Sequence, residues 1–156
     1  MTERGKKLRA TVDQQITALA DLIRTLDEPA LRLPCPGREQ LGDGTVAASA
    51  KHATQNYQRI GKFVATADRM SDGRRHDDSY TAETTDPADL IEQLSAARED
   101  LSGIAELTDQ QLDAVPAKDS FRFCDGQRTV EQVLAGLLKH QDHQVRALKA
   151  ALSPTQ

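Results

Sequence analysis

A chain of 156 residues with a formal charge of −4 can bury a sizeable core as one domain, residues 1–156, and makes no general electrostatic case for binding nucleic acid. It has no apolar run of about 18 residues, which argues against a membrane-spanning helix. It also lacks a charged start followed by a short apolar run, so a cytoplasmic protein without a membrane partner is expected.

Hydrophobic periodicity predicts four helices. Leu8, Val12, Ile16, Leu19, Ile23 and Leu26 recur at steps of three or four over residues 2–26. Arg4, Lys6, Lys7 and Arg9 then read as the solvated end of this helix rather than a basic arm. Pro29, Pro34 and Pro36 interrupt residues 28–44, because proline has no amide donor and clashes with the preceding turn.

A second helix is expected from near Thr45, capped by Asp43 or Thr45, with Val46, Ala50, Ala53, Tyr57, Ile60 and Val64 on one face and an end near Met70. A polar loop follows, with His76 between Arg75 and Asp77 read as a surface residue. Asp86-Pro87 starts a third helix whose stripe is Leu90, Leu94, Ala97, Leu101 and Ile104. A short turn at 109–114 leads to an alternating stretch, Ser120-Phe121-Arg122-Phe123-Cys124-Asp125-Gly126, expected as a short extended piece. Thr129 with Gln132 forms a capping-box pattern that opens the last helix, built on Val130, Val133, Leu134, Leu137, Leu138, Leu148 and Leu152. Four amphipathic helices predict an all-α fold, a four-helix bundle.

Two Thr-Val starts are each followed by a Lys-His pair, at Lys51-His52 and Lys139-His140. At 100° per residue, His140 lies roughly 90° and Gln144 roughly 50° from the middle of the last helix's apolar arc, whereas His143 lies roughly 150° away, toward solvent. His52 lies roughly 100° from the middle of its own arc, with Asn56 and Phe63 nearby. His52 and His140 are thus boundary residues, placed where a ligand-lined pocket between bundle helices would sit. Side chains four apart on a helix can share one ligand, which favours His140 with Gln144 over His140 with His143. Each histidine taken alone also reads as a half-exposed residue bonded to a neighbour. Cys35 and Cys124 are too few for a disulfide framework and form no CxxC pair. They read as buried apolar thiols, or as a thiolate completing a zinc site.

The chain resembles the DinB/YfiT-like proteins. The residues that carry the likeness are Pro36-Gly37, Thr45-Val46, His52 and the run Asn56-Tyr57-Gln58-Arg59-Ile60, then Asp125-Gly126, Thr129-Val130, His140 and Gln144. The resemblance implies an up-down-down-up bundle holding a divalent metal, zinc or nickel, through three histidines or two histidines and a carboxylate. It also implies relatives that are mycothiol-dependent maleylpyruvate isomerases and bacillithiol or mycothiol S-transferases, in which the metal lowers the pKa of a low-molecular-weight thiol. On this basis His52, His140 and Gln144 or His143 are the candidate metal ligands. Arg59, Arg122 or Arg128 are candidates for carboxylates of the thiol, and a homodimer is conceivable. Gln144 departs from the pattern, since an amide oxygen is a weaker neutral donor than imidazole. The alternative is a non-catalytic helical bundle with a degraded metal site, serving as a binding or interaction module.

Overall fold

The structure, a computed structural model, describes residues 2–65 and 84–153. The described residues are helical, with no strands: α1 (Glu3–Arg24), α2 (Glu28–Leu31), α3 (Val46–Ala65), α4 (Pro87–Leu101), a 3-10 turn (Ser102–Glu106), α5 (Asp109–Asp113) and α6 (Val130–Leu152). One isolated bridge, Pro34 with Thr45, closes the loop before α3.

The helix starts follow from capping chemistry. Thr2 accepts from the Gly5 amide, Asp86 from Ala88, and Thr129 exchanges bonds with Gln132 in a full capping box. At α3, Asp43 accepts from both the amide and the hydroxyl of Thr45, and the Thr45 hydroxyl in turn accepts from Ala48. Pro29 occupies the first turn of α2, where the missing amide donor costs nothing, so a short helix forms inside the proline-rich stretch. The stripe ending at Ile104 is helical only to Leu101 and then tightens into the 3-10 turn. The expected turn at 109–114 is the short helix α5, closed by a second capping box, Thr108 with Gln111. The expected end of the second helix near Met70, and His76, lie outside the described residues.

The alternating stretch 120–126 is not extended. Asp119 and Phe123 have positive φ (64° and 67°), and the Cys124 amide turns back to the Phe121 carbonyl. The alternation reflects two rings with separate contacts. Phe121 lies against Phe63, with ring centroids 4.8 Å apart, and Phe123 stands edge-on to His140.

α3 packs against α4 and α6, and α1 packs against the same two helices. Their apolar stripes bury Ile16, Leu19, Ile23, Tyr57, Ile60, Phe63, Leu90, Leu94 and Leu101 almost completely. Close approach is set by small residues. A Cβ on Gly5 would stand 2.7 Å from the Ile104 carbonyl oxygen, so only glycine lets α1 meet the 3-10 turn there. The start of α1 is tied down further by Arg4, which donates to Glu131 of α6 and to Asp109 and Asp113 of α5.

A buried polar chain crosses this core. The Tyr57 hydroxyl donates to Gln15 Oε1 at 2.8 Å, and Gln15 Nε2 donates to the Leu138 carbonyl at 3.0 Å, joining α3, α1 and α6. Gln141 Nε2 donates to the Ala53 carbonyl at 2.9 Å, a second tie between α6 and α3. Burial pushes the Tyr57 phenol well above its ordinary pKa, so it remains a donor. Tyr57→Phe would leave Gln15 Oε1 buried without its donor and should cost about 1–3 kcal/mol. A urea midpoint equal to that of the wild type would show that the chain does not hold the helices.

Candidate functional site

His52, Asn56 and Arg59 fall on successive turns of α3 and form a directed hydrogen-bond chain. Arg59 Nη1 donates to Asn56 Oδ1 at 3.1 Å, and Asn56 Nδ2 stands 3.2 Å from His52 Nε2. A guanidinium only donates, so it fixes the Asn56 amide with oxygen toward Arg59 and nitrogen toward His52. The His52 Nε2 must then accept, which places its proton on Nδ1.

α6 repeats the arrangement. Gln144 Nε2 lies 2.8 Å from His140 Nε2, and Arg122 approaches the same nitrogen at 3.4 Å. Both groups are donors, so the His140 Nε2 lone pair is engaged as well. Gln144 is buried, and its Oε1 has no hydrogen-bond partner. His143 is exposed, as its angle on the helix predicted.

The two imidazoles share one electrostatic neighbourhood. Burial, then the charges of Arg59, Arg122 and Arg38, then His140, hold His52 down at about 4. His140 is lowered by burial first and then by Arg122, Arg38 and His143. Both rings are therefore neutral at pH 7.

Beside them opens a cavity of about 600 Å³. Asn56, Arg59 and His140 line it together with Asp119, Ile60, Leu137, Phe121, Phe123 and Arg122. The loop 119–124 supplies one wall. Phe121 anchors it on Phe63, and the left-handed backbone at Phe123 turns that ring toward His140, 6.4 Å between centroids. Arg122, between the two rings, sits 5.6 Å from the Phe123 centroid.

The remaining sequence candidates are placed differently. Arg128 lies against Phe123 and Asp125, outside the cavity lining. Cys124 lines the cavity as a buried thiol that burial pushes up in pKa, a direction away from reactivity. Cys35 is buried elsewhere, with its thiol toward the Ala147 carbonyl. Sequence reasoning missed Arg38, which arrives from the proline-rich loop, and Gln141, which lines the cavity from α6. Among the described residues, no three of His, Cys, Asp and Glu come together as a metal would require. No helix of the described residues is long and apolar enough to cross a membrane.

The sign of the pH dependence follows from the imidazoles. Between the ordinary histidine value of 6.5 and about 4, the unfolded His52 takes up a proton that the folded one refuses. The unfolded state binds more protons there, so stability falls as pH falls through that window. His140 acts in the same direction. His52→Gln should flatten the fall in urea midpoint between pH 6.5 and about 4; an unchanged slope would remove His52 as its source.

Comparison with protein-family profiles, with curated proteins and with solved structures found no match for this chain.

Proposed function

We propose that the chain is a DinB/YfiT-like up-down-down-up bundle that binds a small molecule in the cleft between α3, α6 and the 119–124 loop, against the neutral His140 and against Asn56, which is bonded to His52, without a resident metal. Support for the helix directions comes from cross-helix contacts. Arg4 with Glu131 and Gln15 with Leu138 run in the same sense along α1 and α6. Ala53 with Gln141 and Cys35 with Ala147 run in opposite senses on the α3 side. Gly5 near Ile104 and Thr17 with Arg98 make α4 opposite to α1.

The observation that carries the functional reading is the engagement of both Nε2 lone pairs by N–H donors within a group of guanidiniums. A divalent zinc or nickel ion would have to displace Asn56, Gln144 and Arg122 from those lone pairs. From the two histidines it would gain only neutral donors beside the charges of Arg38, Arg59 and Arg122, and among the described residues no three of His, Cys, Asp and Glu come together to hold it, although Asp119 and Cys124 also line the cavity. The residues present do not fit a resident metal. They suit a binding module whose imidazoles accept hydrogen bonds from amides, guanidiniums or a ligand.

A second reading, the metal- and thiol-dependent S-transferase or isomerase that the resemblance implies, is favoured by one observation. Gln144 Oε1 is buried without a partner, and turning that amide over would bring its oxygen to the His140 side.

Elemental analysis and zinc titration separate the two. The wild type should carry far less than one equivalent of metal and bind Zn²⁺ only weakly. Gln144→His, which supplies a third imidazole, should raise the zinc affinity about tenfold or more. Stoichiometric metal in the wild type, lost in His52→Ala, would overturn the metal-free reading in favour of the enzyme.

A further inference from the structure

We propose that the cleft takes a small organic carboxylate with an apolar body, its carboxylate on the guanidinium of Arg122 beside Arg59 and its body against Phe123, Leu137 and Ile60. The inference rests on the small-molecule reading above and names the class of molecule.

Four observations lead to it. The cavity, about 600 Å³, has the size of sites that enclose small organic ligands. Its lining is mixed, with two guanidiniums, an imidazole and one carboxylate, Asp119, beside neutral polar and apolar side chains, so the cations outnumber the anion. That suits an amphipathic ligand rather than an inorganic ion or a hydrocarbon.

The backbone that carries the exposed Arg122 side chain is held in place. Phe121 pins the loop on Phe63 before it, and the left-handed turn at Phe123 fixes the chain after it. Among the described residues no carboxylate pairs with Arg122; it meets the His140 ring nitrogen and the Phe123 ring. A planar fork with parallel N–H groups matches a carboxylate in geometry and charge.

Finally, the features that favour a phosphate are missing from the lining. Among the described residues, no glycine or lysine contributes to it. The backbone amides ahead of α6 are already taken by the Asp125 carboxylate, which accepts from Gln127 and Arg128, and by the Thr129 cap. The neutral His140, with its lone pair engaged, stands beside the carboxylate without competing for it.

Calorimetric titration with four probes tests this: phenylacetate, its neutral amide phenylacetamide, acetate and inorganic phosphate. Phenylacetate should bind saturably, with the amide about tenfold weaker or more, because it cannot form the charge-assisted pair. Acetate, lacking the apolar body, and phosphate should be weaker than phenylacetate. Arg122→Gln, on an exposed loop residue, should lose about tenfold for phenylacetate while leaving the amide unchanged. Arg122→Lys should restore part of the loss. Equal binding of acid and amide, phosphate binding as tightly as phenylacetate, no effect of Arg122→Gln, or no saturable phenylacetate binding up to about 10 mM would each overturn the carboxylate assignment. None of these would bring metal into the cleft, so they differ from the stoichiometric metal that would overturn the functional reading itself.

Discussion

The chain of buried hydrogen bonds from Tyr57 through Gln15 to the Leu138 carbonyl sets the register of α3, α1 and α6, and the rest of the site depends on that register. Apolar burial alone discriminates weakly between helix registers, because the hydrophobic effect is non-directional. A buried amide satisfied at both ends is not, since a slip leaves a donor and an acceptor unpaired in the core. Asn56 immediately precedes Tyr57, and His140 follows Leu138 by two residues. The same bonds that fix the core therefore bring His52, Asn56 and Arg59 on α3 opposite His140 and Gln144 on α6.

Electrostatics then decides what those residues can do. Arg59 orients Asn56, Asn56 occupies the lone pair of His52, and Arg122 with Gln144 occupies that of His140. Burial first, and then the guanidinium charges, keep protons off both rings, so the histidines are acceptors rather than cations. This is a setting for an anion or a polar organic molecule more than for a dication. Gln144 makes the difference concrete. Its amide offers N–H to His140 and leaves an oxygen buried, whereas an imidazole or carboxylate at the same position would offer electron pairs to a metal.

Helical periodicity made much of the fold legible. The α1, α3, α4 and α6 stripes and the caps at Thr129 and Asp86 could be read directly, because capping and burial depend on residues three and four apart. His52 and His140 were legible as boundary residues, and His143 as solvent-facing, for the same reason. What was not legible came from contacts distant in sequence or from backbone geometry without a glycine to mark it. Phe121, Arg122 and Phe123 alternate like a strand, yet Phe63 and His140 claim the two rings separately and force left-handed turns at Asp119 and Phe123. Arg38 reaches the histidines only through the folding of the proline-rich loop. Arg4, which looks like a solvated charge, finds Glu131 and Asp113 more than a hundred residues away.

The central claim is that burial, reinforced by the charges of nearby guanidiniums, holds His52 and His140 neutral. Imidazole titration by NMR in the wild type and in Arg122→Gln tests it most directly. Removal of the Arg122 charge should raise the pKa of both rings, with His52 starting from about 4 in the wild type. A His52 that titrates near 6.5 in the wild type, or two rings indifferent to Arg122→Gln, would contradict the account.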